Sequence, residues 1–149
     1  MTRNDNEKTM TILMELSRLI ICEMSQHQVV FLREKNGVRE FPIIIGLFEA
    51  TILDRKIRKI ASARPLTHDL FCQTVQLLNG KIENIQINQV ERQTYFAQIQ
   101  IKQDGKTILI DSRPSDALAI SLCFNPPLPI FVTQEILNDA IQRQQHQPN

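Results

Sequence analysis

The sequence predicts an α+β domain: a mainly antiparallel sheet built from two three-stranded hairpin units, with about four helices packed on it. Turn signals at Asn36-Gly37 and Asp104-Gly105 each separate two short apolar runs, which is typical of β-hairpins. The predicted elements follow in the order three strands, two helices, three strands, a helix, a strand and a helix. This order is not a regular strand–helix–strand repeat, and the sequence has no glycine-rich phosphate-binding loop. Nucleotide binding of the Rossmann or P-loop type is therefore not expected.

The first hairpin unit comes from three apolar runs, over residues 16–23, 29–32 and 38–45. Asn36-Gly37 predicts a tight turn between the last two runs, because both central positions of that turn need positive φ. Pro42 has no amide hydrogen, which places the third strand at a sheet edge or at a bulge. A helix of roughly 15 residues then begins at Gly46. Its apolar positions share one face: Gly46, Ala50, Leu53, Ile57 and Ile60.

The second half starts with a helix and continues with the second hairpin unit. Thr67 is the expected N-cap of that helix, and Gly80 is its C-terminal stop. Phe71, Val75 and Leu78 form the predicted buried stripe of the helix. Strands follow over 85–90, 95–102 and 107–111, then a helix over 115–124, a strand over 130–132 and a last helix over 133–142.

Length and composition predict one domain. The chain has 149 residues, of which 42% are hydrophobic and 22% charged, as in an ordinary globular domain. We expect a flexible N-terminus over 1–10, a single domain over 11–141 and a disordered glutamine-rich tail over 142–149. No apolar run reaches about 18 residues and no signal peptide is recognisable, so no membrane association is expected. Cys22, Cys72 and Cys123 lie in separate apolar stretches and are expected as free thiols, which favours a cytoplasmic location.

Two segments resemble each other and supply most of the candidate site. Residues 63–70 and 112–118 each contain a small residue, Arg-Pro, a hydroxyl residue and an aspartate at a predicted helix start. The unpaired amide hydrogens of a helix N-terminus, with an arginine just upstream, can hold a phosphate. The candidate phosphate-binding residues are Arg64, Thr67, Arg113 and Ser115. Alternatively, Thr67 and Ser115 are helix N-caps, and Asp69 and Asp116 stabilise their helices by facing the positive end of the dipole.

Carboxylates and one histidine are the candidate catalytic residues. Glu49 falls at the edge of the apolar stripe of its helix, where a carboxylate needs a partner. That partner would be Arg64, Arg113 or Lys56 in a structural ion pair; the alternative for Glu49 is an acid, a base or a metal ligand. His68, beside Asp69, is a candidate general acid or base, with a structural role as its alternative. The full set is Glu49, His68, Asp69, Asp111 and Asp116, whose carboxylates could serve a divalent cation, Mg²⁺ or Mn²⁺.

Basic residues concentrate around the first long helix. Residues 33–64 hold eight Lys or Arg and four Asp or Glu, a local net charge of +4, whereas the whole chain carries +1. Arg55, Arg58 and Lys59 lie opposite the apolar stripe and are candidates for binding nucleic-acid phosphates. The alternative is a solvated helix face. No aromatic residue interleaves with this patch, so stacking of single-stranded bases is not expected.

Three ordered motifs carry a resemblance to a known family. They are Phe41-Pro42-Ile43-Ile44-Ile45-Gly46 followed by Glu49-Ala50, then RPLTHDL over 64–70, then DSRPSDALA over 111–119. With these motifs the chain resembles the bifunctional nuclease domain family, from about Leu13 to Ala140. The resemblance implies a compact α+β domain, cleavage of DNA and RNA as found for a few members, and a homo-oligomer, with a dimer as the expected state. Ser112 is a minor departure, because the family usually has a small apolar residue there.

The resemblance transfers positions rather than roles. The positions are Glu49, Arg64, Thr67, His68, Asp69, Asp111, Arg113, Ser115 and Asp116. One hypothesis is a nuclease in which carboxylates hold a divalent ion, Arg64 or Arg113 neutralises the phosphate, and His68 protonates the leaving oxygen. The other is a non-catalytic anion-binding or regulatory homo-oligomeric module, whose Arg–carboxylate pairs lock the fold. Phe48 and Ile52 lie off the apolar stripe and are candidates for a dimer contact.

Overall fold

The computed structural model describes residues 9–146 and has an α+β fold with four helices and seven strands, which confirms the predicted class. The strands are β1 (Thr11–Ile20), β2 (Gln28–Glu34), β3 (Glu40–Ile45), β4 (Lys81–Glu91), β5 (Thr94–Gln103), β6 (Lys106–Ser112) and β7 (Ile130–Thr133). The helices are α1 (Leu47–Ile57), α2 (Thr67–Leu77), α3 (Pro114–Ser121) and α4 (Gln134–Gln145).

All seven strands form one mixed sheet with the order β3-β2-β1-β7-β4-β5-β6. Every neighbouring pair is antiparallel except β4 and β7, which run parallel. The strands of each expected three-stranded unit are neighbours, but the two units are parts of a single mixed sheet, because β7 inserts between β1 and β4. Pro42 lies in β3, which is an edge strand, as its missing amide hydrogen predicts.

The sheet curls strongly along its strand order. Phe41 in β3 and Tyr95 in β5 have ring centroids only 5.6 Å apart, although five strand-to-strand steps separate them in the sheet. A flat sheet would place strands five steps apart at roughly 24 Å. The curl therefore brings β3 towards the turn between β4 and β5, and both line the cavity described below.

The core lies on the inner side of this curled sheet and under the helices. Alternate residues of β5 are buried, namely Ala97, Ile99 and Ile101, as the period-two pattern predicts. Ala50 and Leu53 of α1 are fully buried, and a buried leucine contributes about 1.5–3 kcal/mol. The predicted stripe of α1 ends there, because the helix stops at Ile57, and both Ile57 and Ile60 are exposed.

One predicted tight turn forms and the other does not. Asp104 and Gly105 have φ values of 49° and 75°, as the hairpin between β5 and β6 requires. Asn36 and Gly37 do not adopt positive φ; they lie in a wider loop over residues 35–39. The turn between β4 and β5 has φ values of 47° and 65° at Arg92 and Gln93. Neither residue is a glycine, so the sequence did not predict positive φ there.

Other helix ends also differ from the expected ones. The second helix begins at Thr67 itself, so its N-cap is Leu66, and Leu78 of its predicted stripe is exposed. The last helix runs to Gln145, so a disordered tail from residue 142 is wrong for residues 142–145. Residues 1–8 and 147–149, in the predicted flexible ends, lie outside the described residues. Within residues 9–146, no helix is long and apolar enough to span a membrane.

Candidate functional site

The first turns of α1, α2 and α3 define the candidate site. Their N-caps are Gly46, Leu66 and Arg113, and each helix carries one acidic residue three positions later. These acidic residues are Glu49, Asp69 and Asp116. A carboxylate in the first turn is stabilised by the positive end of the helix dipole, which explains the residue type at all three positions. Two of the three carboxylates meet around one arginine.

Arg113 lies at the centre of a charged cluster, which we call the Arg113 cluster: Glu49, His68, Arg113 and Asp116. Nε of Arg113 donates to Oδ2 of Asp116 at 2.7 Å, and Nη2 donates to Oδ1 at 3.1 Å. Nη1 donates to Oε1 of Glu49 at 2.9 Å. Of the three partners weighed for Glu49, the structure selects Arg113. The guanidinium thereby joins the first turn of α1 to that of α3.

His68 completes the cluster from α2. Its Nε2 lies 2.9 Å from Oδ1 of Asp116, so one carboxylate contacts both Arg113 and the imidazole. An ionised carboxylate can only accept hydrogen bonds, so Nε2 must carry the shared hydrogen. In the neutral ring Nδ1 is then unprotonated and can accept a proton. The two Arg-Pro motifs therefore converge at Asp116, through His68 from one and Arg113 from the other.

The charges of the cluster stabilise one another. Burial alone would raise the pKa of Asp116, but the hydrogen bonds from Arg113 and His68 outweigh it and lower the pKa. Hydrogen bonds to Asp116 and Glu49 raise the pKa of Arg113. Because two carboxylates share one guanidinium, the cluster carries a net negative charge while His68 is neutral. Arg113 is thus already neutralised and is a poor phosphate ligand in this arrangement.

A second cluster lies beside the first and contains Lys56, Asp69 and Cys123; we call it the Lys56 cluster. The side chain of Lys56 is only 9% exposed, and its Nζ donates to Oδ1 of Asp69 at 2.8 Å. Asp69 also accepts the amide hydrogen of Leu66 at 3.0 Å, which fixes the start of α2. Burial opposes the charge of Lys56, but its hydrogen bonds to Asp69 and Cys123 raise the pKa of its ammonium. Asp69, predicted as catalytic, is therefore the counterion of a buried lysine.

A cavity of about 700 Å³ opens beside Arg113. Its wall includes Glu49, Arg113 and Ser115 from the candidate motifs, and Tyr95 and Arg143 from β5 and α4. His68 and Asp116 do not line this cavity. The imidazole is therefore not part of the wall of this cavity.

Several predicted site residues lie elsewhere or have another role. Thr67 and Ser115 are not N-caps: they occupy the first and second positions of their helices, and neither caps its helix through a side-chain hydrogen bond. Ser115 is 7% exposed, so although it lies in the wall of the cavity it offers little surface to a phosphate. Asp111 lies in the edge strand β6, exposed and without a side-chain hydrogen bond or ion pair to any other residue in 9–146.

The predicted basic surface is present at the C-terminal end of α1 and in the segment before α2. Arg58 and Lys59 are exposed, with Arg58 paired to Asp54 at 2.9 Å, and Arg55 donates to Ser62 at 3.2 Å. Arg64 is exposed and forms no ion pair or side-chain hydrogen bond with the described part of the chain. These four cations, Arg55, Arg58, Lys59 and Arg64, form what we call the basic segment. It ends four residues before His68.

No metal centre is apparent in the described residues. Between residues 9 and 146, no group of three or more His, Cys, Asp or Glu side chains is arranged to hold a metal ion. The reason is visible in the Arg113 cluster, where Glu49 and Asp116 both face the guanidinium rather than a shared vacant position. The residues present therefore do not fit a site for Mg²⁺ or Mn²⁺ in this arrangement.

The sequence analysis considered Lys56 as an ion-pair partner of Glu49 rather than of Asp69, and it did not select Cys123 as a site residue. Lys56 falls between the polar and apolar faces of its helix, which is the one signal that its side chain could turn inward. Nothing in the sequence indicates that Cys123 comes close to Lys56 and Asp69, because the three residues lie on different elements. The contacts result from the packing of α1 and α2 against α3.

The fold and clusters define a class: an α+β domain whose helix N-termini gather a histidine and paired carboxylates, with a basic segment that precedes the histidine in sequence. Comparison with known proteins agrees with this class and identifies the family. The model of the bifunctional nuclease domain matches residues 30–145, and the chain belongs to this family. Uncharacterized proteins from two strains of Mycobacterium tuberculosis are each 34% identical over 119 residues, covering 79% of this chain and 70% of the relative.

Proposed function

We propose that the protein is a nuclease that hydrolyses phosphodiester bonds of DNA or RNA, with His68 as its general acid and base. The observation that carries this proposal is the 2.9 Å contact between Nε2 of His68 and Asp116, in a chain of the bifunctional nuclease domain family. Asp116 orients the ring so that Nδ1 can accept a proton from the attacking water. The imidazolium formed is stabilised by the ionised carboxylate and can return the proton to the leaving oxygen.

The basic segment is the proposed contact for the nucleic-acid backbone. Arg64 is an exposed guanidinium without a protein partner in residues 9–146, and it lies close in sequence to His68. Arg55, Arg58 and Lys59 extend the positive charge along the end of α1. Arg113, by contrast, is engaged by Glu49 and Asp116, so we assign it to holding Asp116 in place rather than to binding phosphate.

The dependence of cleavage on Mg²⁺ or Mn²⁺ tests the proposed proton transfers. Since the carboxylates of the Arg113 cluster face a guanidinium, the proposed proton transfers use only His68 and Asp116. Cleavage that persists in EDTA would agree with this, and cleavage that needs Mn²⁺ or Mg²⁺ would show that the cluster rearranges to admit a cation.

The test is a cleavage assay on single- and double-stranded DNA and RNA, with Mg²⁺, Mn²⁺ or EDTA. We expect His68→Gln to lower cleavage by about 100-fold or more, the range that general acid–base catalysis contributes. Asp111→Asn is the matched control, because it removes a carboxylate from the neighbouring motif that lies outside both clusters. Equal cleavage by wild type and His68→Gln, purified identically and with unchanged melting temperatures, would refute the role of His68 and point to a contaminating nuclease.

A second function is favoured by the geometry of Arg113. Its guanidinium bridges α1 and α3, which is what a structural lock in a non-catalytic anion-binding or regulatory module would require. Absence of cleavage by the wild type on all four substrates, with every cation, would favour this module over the nuclease. Binding of inorganic phosphate or of an oligonucleotide to the basic segment would then be the activity to measure.

We also propose that the chain acts as a homodimer. Phe48 is 85% exposed at the start of α1, and Ile44 in the edge strand β3 is exposed as well. Large exposed apolar side chains are typical of contact surfaces. Sedimentation velocity at high protein concentration should show a dimer that Phe48→Ser dissociates. A wild type that sediments as a monomer would contradict the proposal.

A further inference from the structure

Half of β1 has no partner strand on one of its two sides. β1 pairs with β2 from Met14 to Ile20, but its pairing with β7 on the other side ends at Met14. Residues 15–20 therefore have an open side within the sheet, which is about 20 Å long at the rise of a β-strand. The backbone groups on such an open side can hydrogen-bond a strand that is added from outside.

The open side exists because the segment before β7 turns away from β1. In the register of β1 with β7, Leu128 would be the next partner, opposite Leu16. Leu128 instead donates its amide hydrogen to the carbonyl of Ser121 at 3.2 Å, and its carbonyl accepts the hydroxyl of Ser121 at 2.7 Å. Pro127 and Pro129, on either side of Leu128, have no amide hydrogen to donate. The sequence of this segment thus prevents a longer β7.

The open backbone groups belong to Leu16 and Leu19. The amide of Lys35 donates to the carbonyl of Leu13 in β1 at 3.0 Å, so the odd-numbered residues of β2 face β1. Leu16 and Leu19 lie opposite even-numbered residues of β2, so their own amide and carbonyl groups point away from β2. Within residues 9–146, no loop and no strand other than β2 hydrogen-bonds the backbone of these residues.

A cavity of about 870 Å³ lies along this open side. Residues 13–19 of β1 form one wall, and the segment 121–131 and the end of α1 form the others. The second wall is largely apolar and includes the half-buried side chains of Leu122, Phe124 and Leu128. We call this cavity, together with the open side of residues 15–20, the β1 groove.

The β1 groove differs from the two edges of the sheet. β3 and β6 also have an open side, because they are the edge strands. Pro42 leaves β3 without one of its amide donors, and no residue of β6 lines either of the two cavities described. The β1 groove thus combines free backbone groups with walls that can contact the side chains of an added segment.

The β1 groove carries an excess of positive charge. Most of the charged side chains on its wall are neutralised in ion pairs: Glu15 with Arg33, Arg18 with Glu40, Asp54 with Arg58, and Lys56 with Asp69. The two others, Lys35 and Lys59, are exposed and form no ion pair with any residue in 9–146. Charge complementarity therefore favours an acidic occupant.

We propose that the β1 groove binds an extended acidic peptide of a partner protein as an added β-strand. The peptide takes the place of a longer β7, antiparallel to β1, and hydrogen-bonds the backbone of Leu16 and Leu19. Its acidic side chains pair with Lys35 and Lys59, and its apolar side chains cover the apolar wall. The proposal does not depend on nuclease activity, so either can fail without the other.

The test measures amide hydrogen exchange by NMR in the presence of synthetic peptides. The probe is acetylated Glu-Val-Glu-Val-Glu-Val-Glu. One control peptide has lysine in place of every glutamate, and a second has proline in place of the central valine, which interrupts a strand. At ten times its Kd, the probe should slow exchange at Leu16 and Leu19 by about tenfold, because exchange then requires release of the peptide. Neither control peptide should slow it.

A pair of charge variants tests the part played by the lysines. Lys35→Glu reverses one of the two unpaired charges of the β1 groove and should weaken binding of the probe by about fivefold. Lys106→Glu makes the same change at an exposed position of β6, outside the β1 groove, and should leave the Kd within about twofold of the wild type. Equal Kd values for the two variants would contradict the charge assignment.

Other results would overturn the proposal as a whole. Unchanged exchange at Leu16 and Leu19 with millimolar probe, or slowing confined to the amides of β6, would show that the probe does not enter the β1 groove. Slow exchange in the free protein that speeds up on dilution would show that a second copy of the chain occupies it. Slowing by an oligothymidylate but not by the probe would assign the β1 groove to nucleic acid.

Discussion

The two Arg-Pro motifs contain the same residue types, but their arginines lie at different distances from the start of the following helix. Both aspartates occupy the same helical position, three residues after the N-cap. Arg113 is itself the N-cap of α3, whereas Arg64 precedes the N-cap of α2, Leu66, by two residues. The arginine is therefore three residues from its aspartate in one motif and five in the other.

This difference in spacing decides what each arginine does. Arg113 reaches Asp116 within its own helix turn at 2.7 Å and becomes part of an ion-pair network. Arg64 cannot reach Asp69 in the same way, so Asp69 pairs with Lys56 and with the amide of Leu66. One motif thus builds a structural cluster and the other leaves an exposed cation. The comparison shows that two extra residues between proline and aspartate can convert an ion pair into a candidate phosphate contact.

The largest expected difference between the motifs is in activity. Asp116→Asn should lower cleavage by about 100-fold or more, because the amide cannot stabilise the imidazolium of His68. Asp69→Asn should keep the cleavage rate within about threefold while it lowers the free energy of unfolding by about 2 kcal/mol, because it leaves Lys56 without its counterion. Cleavage and thermal melting are measured on both variants. Loss of activity in a well-folded Asp69→Asn variant would contradict the division of roles.

A smaller difference should appear between the effects of replacing the two arginines. Arg113→Ala should lower the free energy of unfolding by about 1–2 kcal/mol, a value reduced by the 64% exposure of its side chain. Arg64→Ala should change it by less than about 0.5 kcal/mol. Instead, Arg64→Ala should weaken oligonucleotide binding and reduce the salt dependence of the binding constant by about one phosphate contact. Equal melting temperatures for the two variants would show that Arg113 is not a lock.

The same pair of variants predicts a difference in acid stability. The pKa of Asp116 is lower when folded than its ordinary value of 3.8, so its contribution is complete above that value and is lost as the pH falls through the folded pKa. Removing Arg113 takes away a main cause of the lowered pKa. Arg113→Ala should therefore flatten the fall of melting temperature below about pH 4, and Arg64→Ala should leave it unchanged. Equal slopes in the wild type and both variants would contradict the assignment.

Local features of the fold could be predicted from the sequence, but long-range ones could not. The alternation in β5 and the Asp104-Gly105 turn depend on neighbouring residues, and both are confirmed. Asn36-Gly37 has an equally strong turn signal, but the loop from 35 to 39 is wider than two residues. The place of β7 between β1 and β4 depends on contacts between distant segments, which no local pattern encodes.

In the candidate site, too, the sequence predicted local features but not contacts between distant segments. Glu49 was expected to need a cation, and Arg113 was one of three candidates that the sequence left open. The choice depends on how α1 packs against α3, which the sequence alone does not fix. The Lys56 cluster was not predicted, because its three members are distributed over α1, α2 and the segment after α3. Convergence of side chains is a property of packing, and periodicity reports only the face on which each residue lies.

The smallest expected effect is the difference in stability between replacing Thr133, which caps its helix, and replacing Thr67, which the sequence predicted as a cap. Thr133 caps α4, and its hydroxyl accepts the amide hydrogen of Ile136 at 3.4 Å, whereas Thr67 sits one position inside α2 and is exposed. Thr133→Ala should cost about 1 kcal/mol of unfolding free energy, as the loss of a cap typically does. Thr67→Ala should cost less than about 0.5 kcal/mol, since its hydroxyl bonds no amide in the described structure. Urea unfolding at fixed pH measures both, and a cost of about 1 kcal/mol for Thr67→Ala would restore that residue as the cap of α2.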